Sequence, residues 1–183
     1  MIDDIDWNPN KSAELQMRYG FGFDRLMAAA KLGGVIAERK HPNSERYPHQ
    51  YQWVIDLDGY IWIVPFVRSE EGIFLKTFFP SRKATREYLE PYPMKNEPIP
   101  ILSPDEIEEY ESSEAGEWIS VADFEAKRPF LEAAAARALE KHGVQISISL
   151  PNTDLERLKA LALQKGVERD VLIRAILHEA ALG

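Results

Sequence analysis

Cysteine is absent from the 183-residue sequence. Disulfides and thiolate metal sites are thereby excluded, and a reducing compartment, the cytoplasm, is the expected setting. Histidine is scarce: His41, His49, His142 and His178 are the whole set, none at metal-ligand spacing to another. Neither a metal nor a cofactor is expected. No apolar run approaches the roughly twenty residues that span a bilayer. The N-terminus carries Asp3, Asp4 and Asp6 instead of the basic-then-apolar start of a signal peptide, so no membrane partner is expected. Positive charge is thin in one region. The net charge is −8, and residues 94–139 contribute −7 of it, with 4 basic against 11 acidic side chains. Residues 1–93 carry −1 and residues 140–183 are neutral. So concentrated an acidic stretch is a solvated tail or the cover of a basic surface.

The first half reads as helix, helix, strand, strand, strand, helix. Asn8 caps a helix whose first position is Pro9, and Gly20 ends it. Phe21, Phe23, Leu26, Met27 and Ala30 support a second helix, closed by Gly33–Gly34, with a short strand over Val35–Arg39. Tyr51–Leu57 and Tyr60–Val67 are strands joined by the hairpin pair Asp58–Gly59, and Ile73–Phe79 follows as a third. Pro80 and Ser81 set up a helix over Arg82–Leu89. This order implies an α+β plan with a small antiparallel sheet.

The middle segment starts a helix at Ser103, Pro104 and Glu106, in capping-box spacing, and runs to about Ser112. Ser120 caps another helix, which Pro129 interrupts or kinks before the alanine-rich run Phe130–Leu139. Two roles fit: the acids meet Arg82, Lys83 and Arg86 while Tyr110 and Trp118 fill a groove, or the segment is a solvent-exposed spacer.

In the last forty residues, Val144, Ile146, Ile148 and Leu150 alternate with Gln145, Ser147 and Ser149, the period of a half-buried strand. Leu155, Leu158 and Ala162 then recur at helical spacing, Gly166 stops that helix, and Leu172, Ile173, Ile176, Leu177 and Ala180 line a second. One strand and two short helices enclose too little core alone. Antiparallel pairing of the strand with a second copy is the economical solution. That is a ribbon-helix-helix homodimer, whose ribbon enters the major groove of DNA. A helical hairpin finishing an ordinary domain is the plainer alternative.

The wording of these stretches carries two resemblances. "EEYESSEAGEWISVADFEAKRPFLEAAAARALEKHGV" and "ISISLPNTDLERLKALALQKGVERDVLIRAILHEAALG" resemble the CopG-type antitoxins of bacterial toxin–antitoxin pairs. "IDWNPNKSAELQMRYGFGFDRLM", "KHPNSERYPHQ", "VPFV" and "FLKTFFPSRKATREYL" resemble the BrnT group of RelE-like toxins, over nearly all of residues 5–90. The resemblance implies three parts: a toxin domain over 1–93, an acidic neutralising or linking segment over 94–141, and a ribbon-helix-helix domain over 142–183. Met94, after the Pro91–Tyr92–Pro93 turn, stands where the antitoxin-like half begins. Gln145, Ser147 and Ser149 would face bases of operator DNA; an arginine is usual on that face and none is present. The N-terminus near Gly166–Arg169 offers phosphate contacts, with Arg169 as its cation.

Toxins of this group commonly cleave mRNA and stop translation. Metal-free RNA cleavage needs a base, an acid and cations to stabilise the phosphorane. Lys76, Arg82, Lys83 and Arg68 are the candidate cations, and Tyr88, His41 and His49 the candidate proton-transfer or stacking groups. A hairpin would bring Arg68 near Lys76. Solvated surface charge, loop histidines bonded to backbone and a core-facing Tyr88 are the alternative roles. Two functions follow: a toxin–antitoxin fusion whose ribonuclease-like half is silenced by the other, with mRNA or the ribosome as target, or a non-enzymatic ribbon-helix-helix regulator with a degenerate toxin-like domain.

Overall fold

The computed structural model of the protein describes residues 4–41, 43–89, 97–116, 118–143 and 148–182. Two compact units divide the chain, Met1–Gln145 and Ile146–Gly183. The architecture is mixed α and β, with seven helices and a seven-stranded mixed sheet among the described residues.

The first unit opens with β1 (Ile5–Trp7). Asn8 then accepts a hydrogen bond from the Asn10 N–H, Pro9 supplies a helical φ, and α1 runs Pro9–Tyr19 to a left-handed Gly20. After α2 (Phe23–Lys31) come β2 (Val35–Lys40), β3 (Gln50–Leu57) and β4 (Tyr60–Ser69). Asp58 and Gly59, at φ 56° and 80°, close the β3–β4 hairpin with the two positive φ angles of a type I′ turn. The chain continues through β5 (Gly72–Leu75), β6 (Phe79–Pro80) and α3 (Arg82–Leu89). The expected single strand Ile73–Phe79 is thus split, since Lys76, Thr77 and Phe78 leave the sheet. Beyond lie α4 (Ile107–Ala115), β7 (Ile119–Ser120) and α5 (Phe124–His142), which is continuous across Pro129.

The strand order is β1-β5-β4-β3-β2-β7, with β6 paired to β4. All pairings are antiparallel except β1 with β5. The sheet is therefore mixed, not the antiparallel one expected. Three residues before Asn8 are too few for a period-two signal, so β1 left no trace in the pattern.

Side-chain alternation divides the sheet into two faces. Trp53, Ile55, Trp62, Val64 and Phe66 point to the face covered by α1, α2 and α5. Val54, Ile61, Ile63 and Phe79 point to the other, where Ala84 and Tyr88 of α3 and Tyr110 of α4 pack. The alanine-rich run is core: Leu131, Ala134, Ala135 and Ala138 are buried against α2 and the sheet. Residues 97–143 thus add an edge strand, a core helix and a cover helix to the sheet, and α5 and β7 are not a spacer.

The second unit contains α6 (Asn152–Lys165), a left-handed Gly166 and α7 (Arg169–Leu182). Ala162 and Leu172 are buried in it, while Ile148, Leu150, Ile176 and Leu177 are each more than two-fifths exposed. The expected strand Val144–Leu150 lies in part outside the described residues, at 144–147; residues 148–150 have no regular structure. The Pro91–Pro93 turn and Met94 also lie outside them.

Candidate functional site

Lys11, Glu14 and Arg18 recur at i, i+3 and i+7 on α1 and share one face. Glu14 bridges the two cations, 3.5 Å from Lys11 and hydrogen-bonded to Arg18. Into this face reaches Glu106, just ahead of α4. Its Oε1 accepts from Lys11 Nζ at 2.9 Å and from the Thr77 hydroxyl. Its Oε2 accepts from Arg18 Nη1 at 2.6 Å and from the Ser103 N–H at 2.7 Å. The last bond is the reach-back half of the expected capping box; a turn over 104–106 precedes the helix, which starts at Ile107. Glu106 is 3% exposed. Burial alone would raise its carboxyl, but the bonds from Lys11, Ser103 and Thr77 prevail and bring it to about 2. Tyr19 fastens the same segment, its hydroxyl donating to the Ile101 carbonyl at 3.0 Å and accepting from the Ile101 N–H at 2.9 Å.

One turn along α4, Glu109 accepts from Lys76 Nζ at 2.6 Å. Tyr110 meets Phe79 edge to face at 5.3 Å, and Ser113 donates to the buried Gln52 at 3.3 Å. Glu114 accepts from the Ser81 hydroxyl, which also caps α3 by accepting from the Ala84 N–H. Lys83 Nζ donates to the Glu114 carbonyl at 3.1 Å, and Arg82 pairs with Glu97 at 3.1 Å. Lys76, Arg82 and Lys83 therefore all engage the acidic segment. Arg86 is exposed and makes no ion pair among the described residues. A cleft of about 370 Å³ remains beside α4, lined by His41, Tyr47, Lys76, Glu108, Glu109 and Trp118. His41 Nδ1 accepts from the Asn43 N–H at 3.1 Å, so a neutral ring carries its proton on Nε2. Its ring lies 4.5 Å from Tyr47 and 4.9 Å from Trp118.

No protein-family model, curated protein or solved structure matches this chain. The site stands on its geometry. Among the described residues no three His, Asp or Glu side chains gather as a metal site requires, and no helix is long and apolar enough to cross a membrane.

The other candidates lie elsewhere. Arg68 shares the side of Phe66, the face covered by α1, α2 and α5, whereas Lys76, one residue past β5, turns to Glu109 of α4. Its guanidinium stacks on Tyr51 at 4.6 Å and donates to Glu38 at 3.0 Å. Glu38, 1% exposed, also accepts from Trp53 Nε1 at 3.1 Å, so Arg68 neutralises a buried carboxylate. The β4–β5 hairpin does bring strands together, but adjacent strands share faces by register, and Arg68 pairs with Ile73. Tyr88 accepts from Arg39 Nε at 3.2 Å and packs in the second core. The His49 side chain is exposed in its loop. Gln145 and Ser147 lie outside the described residues; Ser149 is exposed, and Arg169 donates to Asp170 at 2.9 Å. Lys11, Arg18 and Thr77 were not foreseen, though the i, i+7 spacing of two cations around Glu14 was legible.

Proposed function

We propose that this chain is a fused toxin–antitoxin protein, in which a ribonuclease-like half is silenced in cis by the acidic segment and the C-terminal unit dimerises to contact operator DNA. One observation carries the reading: the cations nominated for phosphate chemistry on α3 and after β5 are each held by residues 97–114. Lys76 and Arg82 are each paired there with a carboxylate, and a cation so paired has little attraction left for a phosphodiester; Lys83 is tied to the Glu114 carbonyl. Lys76 is the favoured electrostatic catalyst and His41, in the same cleft, the favoured proton-transfer group. Arg68 and Tyr88, engaged in structural contacts, are assigned no chemical role. Dimerisation rests on the half-exposed Ile148, Leu150, Ile176 and Leu177, a set that a ribbon-helix-helix partner would cover. The absence of arginine or lysine on Gln145, Ser147 and Ser149 leaves phosphate contacts near Arg169 as the main source of DNA affinity.

The test is growth of cells expressing the full chain with Glu106, Glu109 and Glu114 replaced by Gln. Arrest by this variant, relieved when Lys76→Ala is added, supports the reading. A folded triple variant that leaves growth unchanged sinks it and favours the regulator with a degenerate toxin-like domain.

A further inference from the structure

We propose that Lys11, Arg18 and Thr77 form a binding site for a phosphodiester of single-stranded RNA, which Glu106 occupies in the silenced chain. The inference rests on the reading above and adds to it a backbone-binding subsite outside the set of residues nominated for chemistry. Glu14 offsets one of the two α1 cations, leaving a local charge of +1 that the Glu106 carboxylate balances. A phosphodiester carries the same single charge and likewise presents two oxygens to separate donors. Here the donors are divided in that way: Lys11 and Thr77 on one oxygen, Arg18 and the Ser103 N–H on the other. When residues 97–116 lift away, Ser103 leaves with them, and three side chains of the first half remain as an unfilled anion cradle. Thr77 follows Lys76 in the chain, so the cradle adjoins the cleft where Lys76 and His41 face a substrate. A strand whose scissile phosphate lies at Lys76 has a neighbouring phosphate within reach of Lys11 and Arg18. Glu106, at the N-cap of α4, and Glu109, one turn on, send their carboxylates to Lys11 and Arg18 and to Lys76 respectively, so one segment places an anion at each of the two cation groups.

The experiment uses the full chain carrying Glu106→Gln and Glu109→Gln, with a short fluorescent 2′-O-methyl oligouridine as probe; blocking the 2′-hydroxyl prevents cleavage. Fluorescence anisotropy across a salt series should show binding that the unaltered chain lacks. Adding Lys11→Ala or Arg18→Ala should weaken it about tenfold and reduce the slope of log K against log salt by about 0.7 each. Lys31→Ala, an exposed lysine on α2, should do neither. Binding indifferent to Lys11 and Arg18, or no binding, overturns the site. Where either variant unfolds, Glu106→Ala alone decides: inorganic phosphate should raise its melting temperature saturably above potassium chloride of equal ionic strength. Equal melting in the two salts overturns the site. The two proposals separate cleanly. Binding that needs Lys11 and Arg18 without cleavage of unmodified RNA keeps the site and refutes the ribonuclease. Cleavage with binding that needs Lys76 alone keeps the ribonuclease and refutes the site.

Discussion

Lys76 Nζ and Glu109 Oε2 stand 2.6 Å apart, one just past β5 and the other on α4. The lysine side chain is 37% exposed and the glutamate 11%, so the pair is partly screened by water. Glu109→Gln is expected to cost about 1 kcal/mol, less at high salt. Faster amide exchange over residues 103–116, with unchanged exchange in β3 and β4, is the expected readout.

Glu106 carries a larger load. Its removal leaves Lys11 and Arg18 with Glu14 as their one shared counter-ion and an uncompensated positive charge in a buried setting, so Glu106→Ala should destabilise the first unit by about 2 to 4 kcal/mol. The acid limb follows from linkage. The folded carboxyl titrates at about 2, below its ordinary 4.5. The stabilisation is complete above pH 4.5 and is lost as pH falls through about 2. Thermal melts between these limits should show a steep fall in stability for the unaltered chain and a flatter one for Glu106→Gln.

The buried run Leu131, Ala134, Ala135 and Ala138 bears on how the halves can be separated. Small side chains let α5 lie close to α2, and without α5 the core under Leu26, Met27 and Ala30 opens to water. A fragment of residues 1–93 is expected to lack cooperative unfolding, and residues 1–143 to retain it. Near-ultraviolet circular dichroism on heating distinguishes the two. Growth assays with the short fragment would therefore test folding before they test toxicity, and unmasking by Glu→Gln substitution in the full chain avoids that confusion.

Arg68 should behave as a structural residue. Glu38→Ala strands Arg68 and the Trp53 N–H, and is expected to cost about 3 kcal/mol. Arg68→Ala, with Glu38 still bonded to Trp53, should cost about 2 kcal/mol. In the unmasked chain Arg68→Ala should leave RNA cleavage per folded molecule unchanged, whereas Lys76→Ala should lower it at least tenfold. A loss of cleavage from Arg68→Ala without a change in melting temperature would restore it to the site.

Local chemistry was legible at many boundaries but not all: Ser120, expected to cap a helix, pairs in β7, and α5 starts only at Phe124 after Asp123. Asn8–Pro9, Asp58–Gly59, Ser81 and the left-handed Gly20 and Gly166 each placed an element boundary within a residue or so, because each acts through its own backbone. What escaped depended on distant partners. β1 is recognisable only through its pairing with β5, and the separation of Arg68 from Lys76 follows from their distant partners, Glu38 on β2 and Glu109 on α4. Ala134, Ala135 and Ala138 give almost no hydrophobic contrast, so their burial depends on α2 being there to receive them. Of the site, Lys76, Arg82 and Lys83 were readable as cations, but Glu106 showed only its capping role. Its convergence with Lys11, Arg18 and Thr77 joins three separate stretches of the chain.

The central question is whether the acidic segment restrains a live site. The most direct measurement is cleavage of a single-stranded RNA by the purified full chain, unaltered and with Glu106, Glu109 and Glu114 replaced by Gln. The account predicts no cleavage by the unaltered chain, cleavage by the triple variant without added metal, and its loss on adding Lys76→Ala. A folded triple variant that binds RNA yet never cuts it, or cuts it equally well without Lys76, would contradict the account.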